Sequence, residues 1–337
     1  MTPDTNLADA SNSTFVAAII AYAVAMLGFA VEYAFGRAKS AEHSQQQALV
    51  AAGGGGETVE EPPQERPSKA EARANALGVS TSQATISGAI AMVAMVLGAL
   101  AHTASLILRA TSVGRVPWGN MFEYIVATAL VGVAVWIYLV FKKHVARRLS
   151  LFIMLAIVLL LGFSTRVYTD AAKLVPALDS YWIAIHVSAA IIASGFFLVG
   201  FVAAVLHLLR RRHQVIVEKG GTVRFPFTAA PKLPSSKKLE ILTWRMHLFA
   251  FPIYTFGVIA GAIWAREAWS RYWGWDPKEV WAFIAWVVYA AYLHSRATGS
   301  TGRKLAPWIA ILGWLVILFN LFGVNLLMDG LHSYAGV

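Results

Sequence analysis

The chain has 337 residues, 58% of them hydrophobic and only 14% charged, with a formal net charge of +10 and no cysteine. So apolar a composition marks an integral membrane protein rather than a soluble domain. The lack of thiols excludes thiolate metal sites, disulfides and thiol catalysis by this chain, so any metal chemistry must rest on the nine histidines and the carboxylates.

Met1–Ser13 is polar and weakly acidic with no basic n-region, so the first apolar run, 14–36, is expected to stay as a helix rather than be removed as a signal peptide. Residues 37–85 are low in complexity, with four glycines at Gly53–Gly56 and a Glu-Glu-Pro-Pro-Gln-Glu-Arg-Pro run from Glu60. With few large apolar side chains to offset the entropy of ordering, this segment is expected as a disordered cytoplasmic linker. It would tether helix 1 (1–36) to a core of seven helices at 86–337. Further apolar runs at about 86–110, 119–141, 149–165, 182–209, 246–265, 278–295 and 305–323 reach or approach the roughly 20 residues that a span needs. The expectation is an all-α polytopic membrane protein of about eight transmembrane helices.

Basic residues set the orientation, because Lys and Arg are held on the cytoplasmic side. If both termini are extracytoplasmic, 21 of the 28 Lys and Arg fall in inner segments. That arrangement places the loop at about 266–281 outside. The net charge is mostly this topological signal, so nucleic acid is not expected as a partner. In the inner loop between His213 and Ser236, Val215-Ile-Val217 alternates into Lys-Gly-Gly-Thr-Val-Arg-Phe and reads as a short hairpin.

Two outer loops carry helix-start signals. Asn120 with Glu123 has capping-box spacing, and Asp276-Pro277-Lys278-Glu279 reads as an N-cap, a proline at the first helical position and a glutamate at the third. Trp264, Trp269, Trp273, Trp275, Trp281 and Trp286 crowd around the second of these, six of the chain's twelve tryptophans within 23 residues. An interfacial aromatic belt needs one or two per helix end; the excess asks for a flat apolar partner. A quinone, a haem and a lipid interface all satisfy it.

Histidine depth separates these. With a rise of about 1.5 Å per residue, His294 lies roughly 27 Å along its helix from Asp276, near the inner face. His186 falls within about two turns of the outer start of its helix, and His332 follows the last helix on the same side. Two imidazoles level with the tryptophan loop favour haem, whose iron takes axial imidazoles while its ring takes aromatic walls. His207 and His247 lie at about the depth of His294, and His102 lies in the outer half of its helix.

Trp273-Gly-Trp275-Asp276-Pro277-Lys278-Glu279 with Trp281 resembles the tryptophan-rich WWD signature of haem-handling proteins. Phe322-Gly-Val-Asn-Leu-Leu327 and Gly330-Leu-His332-Ser-Tyr334 resemble the C-terminal hallmark of the CcsA/ResC branch, often called CcsB in actinobacteria, the membrane subunit of system II cytochrome c biogenesis. The resemblance covers about 86–337. It implies that haem b, bound non-covalently in transit, crosses the plasma membrane and rests beneath the tryptophan loop. There it is attached to an apocytochrome c bearing Cys-x-x-Cys-His, a holocytochrome c haem-lyase type of activity. It also implies His186 and His332 as the outer axial ligands, His294 as the transmembrane ligand, and Trp269, Trp273, Trp275, Asp276 and Trp281 as the haem platform. A ResB/Ccs1-type partner would complete the site at His294, with His207 or His247 as the local alternative, and thiol-reducing factors would keep the apocytochrome ready. Arg166, Lys173, Arg266 and Lys278 are the outer candidates for the haem propionates. A haem exporter delivering to a separate ligase is the alternative function, and a quinone-binding subunit a third.

Overall fold

The computed structural model describes residues 4–36, 81–173 and 180–332. The expected linker lies almost wholly outside these, as do His43, Ser333 and Tyr334. Among the described residues there are eight long helices and no strand. They are α1 (Thr5–Phe35), α2 (Thr81–Val113), α3 (Met121–Phe141), α4 (Ser150–Ser164), α5 (Tyr181–Glu218), α6 (Ser236–Trp269), α7 (Pro277–Ala297) and α8 (Ser300–Leu318). The last continues through a π-helical turn, Phe319–Gly323, into the short α9 (Val324–Leu327). α2 begins at Thr81, inside the stretch assigned to the linker.

Seven of these are long and apolar enough to cross a membrane; α4 qualifies once its flanking 3-10 turns extend it to Arg147–Val167. α7 equals α3 in length at 21 residues. It falls outside the seven because polar Lys278, Glu279, His294 and Arg296 sit toward its ends and tryptophan and tyrosine dilute its apolar middle. The protein is thus an all-α polytopic membrane protein.

α1 does not stand apart. It packs along α2 and against α4, with Gly28 against Ala91 and Tyr22 against Gly98. Ser11 and Ser105 exchange hydroxyl-to-carbonyl bonds of 2.8 and 2.9 Å across the pair. Serine and glycine at a helix contact let the backbones approach, which suits a medium that supplies little hydrophobic drive between helices. α5 packs along α6 and also meets α3 and α8, so it is the central column.

The expected hairpin is absent. Val215–Val217 belong to α5, whose last turn closes with the Lys219 N–H on the Val215 carbonyl, and the chain turns at Gly220 with φ +66°. Once Arg210–Gln214 continue the helix, adding one more turn costs less than pairing two new strands. The following 3-10 turn, Phe227–Lys232, offers Ala229 and Ala230 carbonyls to Tyr33 and Arg210, at 2.7 and 2.9 Å.

At the other end of the bundle the start of α3 is fixed by charge. Glu123, fully buried, accepts from Arg109 Nε and from Arg115 Nη1, each at 2.7 Å, while Arg109 is itself 3% exposed. Asn120 caps α3 by accepting the Glu123 N–H at 2.9 Å. The reciprocal bond of a capping box goes one residue further out, because Glu123 Oε2 takes the Gly119 N–H at 2.7 Å. Removing one member of a buried ion cluster strands the others, so Glu123→Gln is expected to lower unfolding stability by about 3–5 kcal/mol. Glu32→Gln, whose pairing with Arg147 is partly exposed, should cost about 1 kcal/mol or less; thermal unfolding of the detergent-purified variants compares the two.

Candidate functional site

The tryptophan loop is built by one carboxylate on each side of the start of α7. Glu279 Oε2 accepts the Gly274 and Asp276 N–H groups at 2.8 and 3.1 Å, and Asp276 accepts the Lys278 N–H at 3.3 Å, completing the expected capping box. To bring Gly274 and Asp276 onto the same oxygen the backbone folds at Trp275, which has φ +60°. A bulky residue in that region costs on the order of 1–3 kcal/mol, and the Trp275 ring gains little packing in return, being 68% exposed.

Asp276 has a second task. Its Oδ1 accepts the Leu331 N–H and its Oδ2 the His332 Nδ1–H, both at 2.7 Å. Burial alone would push this carboxyl up, yet the hydrogen bonds from His332, Leu331 and Lys278 outweigh it and hold Asp276 below the ordinary aspartate value. It therefore stays ionised and orients the His332 ring. The backbone comes this close because residue 330 is glycine: a Cβ there would lie 2.6 Å from Asp276 Oδ1.

His186 is oriented in the same manner, from α5. Its Nδ1–H donates to the Gly257 carbonyl at 2.7 Å, and its ring lies parallel to Trp264, at 7° and 6.3 Å. Gly261 makes room, since a Cβ there would sit 2.6 Å from the ring. Trp264 is also 5.8 Å from the His332 ring, and Trp269 meets His332 edge-on at 4.9 Å. For each neutral histidine a proton fixed on Nδ1 puts the lone pair on Nε2, the arrangement that protein ligation of a metal uses.

Both rings line a cavity between α3, α5, α6, α7 and the turn after α8. Trp118, Tyr124, Trp264, Trp269, Tyr272 and Trp273 give it aromatic walls, and Gly257 and Gly261 also line it. Two polar atoms on its lining residues, Trp118 Nε1 and Asn320 Oδ1, are buried with no hydrogen-bond partner among the described residues. Two oriented imidazoles, flat aromatic walls and unsatisfied polar atoms fit a large planar ligand with polar appendages.

The expected platform divides. Trp269 and Trp273 line the cavity; Trp281 instead packs on Phe319, with ring centres 4.2 Å apart, and Trp275 points away. Asp276 acts on His332 rather than as cavity wall. Of the four cationic candidates Lys278 alone lines the cavity, while Arg166, Lys173 and Arg266 are exposed outside it. His294 is exposed on the stripe of α7 that also carries Phe283 and Val287.

His247 cannot join His294. It is buried between Phe197, Tyr289 and Tyr292, with its Nδ1–H on the Thr243 carbonyl at 2.7 Å. Tyr292 faces His247, and His294, two residues on, points about 200° around the helix. His207 is buried too, its Nδ1–H on the Ser236 carbonyl at 2.8 Å. His102 contacts Tyr22 OH at 3.2 Å, outside the cavity.

The sequence profile of the family described as "Cytochrome C assembly protein" matches residues 118–332, which contain the cavity from Trp118 to His332. The chain belongs to this family. Its similarity lies with the CcsA branch of system II cytochrome c biogenesis. It is 35% identical over 270 residues to the cytochrome c biogenesis protein CcsA of Chlamydomonas reinhardtii, covering 77% of this chain and 72% of that protein. It is 36% identical over 239 residues to the CcsA of Guillardia theta, covering 66% and 77%. The CcsA of Synechococcus sp. (strain CC9605) is 35% identical over 259 residues, covering 70% and 83%. Family membership makes this chain a multi-pass membrane protein of cytochrome c assembly, and haem handling goes with that.

Sequence reasoning passed over Trp118, Gly257, Gly261 and Asn325. The glycines had a readable signal, a Gly-x-x-x-Gly spacing that lays α6 close on α5. Gly261→Ala is expected to displace the His186 ring and destabilise the protein by about 1–3 kcal/mol, the usual cost of overpacking. Gly162→Ala, where a Cβ meets open space, should instead be neutral or stabilising; melting curves of the two variants should therefore move in opposite directions or differ clearly.

Proposed function

We propose that this chain is the haem-presenting subunit of a system II cytochrome c synthase, binding haem b non-covalently between His186 and His332. The supporting observation is that two histidines lining one tryptophan-walled cavity are each anchored through Nδ1. A carboxylate behind one imidazole and a carbonyl behind the other fix both tautomers and both ring planes before a ligand arrives. Two such rings complete an iron's axial coordination without a covalent bond to the porphyrin.

Haem is substrate here, and supplies the vinyl groups across which each S–H of an apocytochrome Cys-x-x-Cys-His adds, so that nothing leaves. The chain itself binds, orients and excludes water. Trp264, Trp269 and Trp273 give flat apolar walls, and Asp276 holds His332 while capping α7. That no cysteine is present fits this division, since both thiols come from the substrate. The alternative, an exporter that hands haem to a separate ligase, uses the same site and differs only in whether covalent product forms beside it.

His294 is the expected second, transmembrane ligand. Its exposure on the Phe283 and Val287 stripe suits a site completed from outside this chain by a ResB/Ccs1-type partner. The basic residues of 142–148, 210–245 and 296–304 lie in connections and in the helix ends that flank them, at the end of the bundle away from the cavity, which supports a plasma-membrane orientation with the cavity extracytoplasmic.

Absorption spectroscopy of the purified complex tests the reading. A low-spin bis-imidazole Soret band is expected, lost or shifted in His186→Ala and His332→Ala and recovered with added imidazole. An unchanged band in both variants would sink the ligand assignment. Asp276→Asn can keep the cap and accept the His332 bond but removes the charge behind the ring; it should leave the iron low-spin and raise its midpoint potential. A redox titration giving the wild-type value would show that Asp276 does not act through His332.

A further inference from the structure

Among the described residues Lys278 is the one lysine or arginine on the cavity wall, and its surroundings are unusual for a cation. Its ammonium donates to Asn325 Oδ1 at 2.5 Å, and it makes no ion pair with a carboxylate among the described residues. Nearby acidic side chains are engaged elsewhere. Glu279 Oε2 takes two loop N–H groups, and Asp276 takes His332 and Leu331. A charge withdrawn from water and held by a neutral amide is costly unless something else neutralises it.

The amide is itself placed deliberately. Asn325 Nδ2 donates to the Leu321 carbonyl at 2.7 Å, which turns Oδ1 toward Lys278. In a regular α-helix Asn320 and Asn325, five residues apart, would point about 140° from each other. The π-helical turn Phe319–Gly323, with its i to i+5 repeat, brings both toward the cavity. Asn320 Oδ1 and Trp118 Nε1 add two buried polar atoms with no partner on the same walls.

We infer that Lys278, oriented by Asn325, is a carboxylate-anchoring subsite that takes a propionate of the haem held by His186 and His332. This rests on the haem reading above. Lys278 and His332 are both tied to Asp276 Oδ2, one through its main-chain N–H and the other through its ring, so anchor and axial ligand are set by one carboxylate. The ligand class is a planar macrocycle with carboxylate arms, and a quinone, which has none, would leave the ammonium unneutralised. The subsite fixes rotation about the axis between the histidines. It thereby decides which edge of the ring meets the thiols.

The test uses the full chain purified with its partner, titrated with haemin and with haemin dimethyl ester, followed by the Soret band and by tryptophan quenching. Wild type should bind haemin at least about tenfold more tightly than the ester, the ratio expected for a charge-assisted hydrogen bond. Lys278→Met should lose that preference through weaker haemin binding, keep its ester affinity and keep the Soret position of bis-imidazole ligation; Lys278→Arg should restore the preference. Wild type binding both probes equally would overturn the inference, and so would a tenfold preference that survives in Lys278→Met. The first outcome needs no variant, so a misfolded Lys278→Met does not shield the proposal. Failure of the haem reading looks different: no bis-imidazole band would form with either probe.

Discussion

The site depends on the Asp276 carboxylate. One side chain accepts the Lys278 N–H of its own helix, the Leu331 N–H and the His332 ring. It thereby joins the loop after α6, the start of α7 and the chain beyond α9. Each bond alone is modest, but they share an ionised acceptor that is 5% exposed, where competition from water is weak. A helix cap has become the clamp on a candidate axial ligand.

The other candidate ligand is held with less. His186 has only a main-chain carbonyl behind it, made reachable because Gly257 and Gly261 let α6 lie against α5. The two histidines are therefore not equivalent. His332 has an anionic partner and lies beyond α9; His186 has a neutral one and sits within a helix. Electron donation should be greater from the first and positional rigidity greater from the second.

Much of this was legible in the sequence. Apolar runs, caps at Asn120 and Asp276, and the shared level of His186 and His332 follow from hydropathy, N-cap chemistry and helical rise, all of which act locally. What the sequence did not show depends on side-chain direction. Trp275 and Trp281 look equivalent to Trp269 and Trp273 in the motif, yet a left-handed residue at 275 and a neighbouring Phe319 turn them away from the cavity. Asn325 was hidden by the π-turn, because a one-residue change of helical phase leaves no mark in composition. The Val215–Val217 alternation misled because it reads the same whether the preceding helix ends or continues.

The π-turn also has a consequence for what kinds of change the chain end can absorb. A turn that widens from four residues to five is a phase shift carried in the count of residues rather than in their identity. Between Trp314, still packed inside the bundle, and His332, held by Asp276, the chain is fastened at both ends. Substitutions there alter one contact each. Losing or gaining a residue would rewind everything downstream, swinging Asn325 off Lys278 and pulling His332 against its clamp. Apart from Asn325 and Gly330, this segment should therefore tolerate changes of residue type more readily than changes of length.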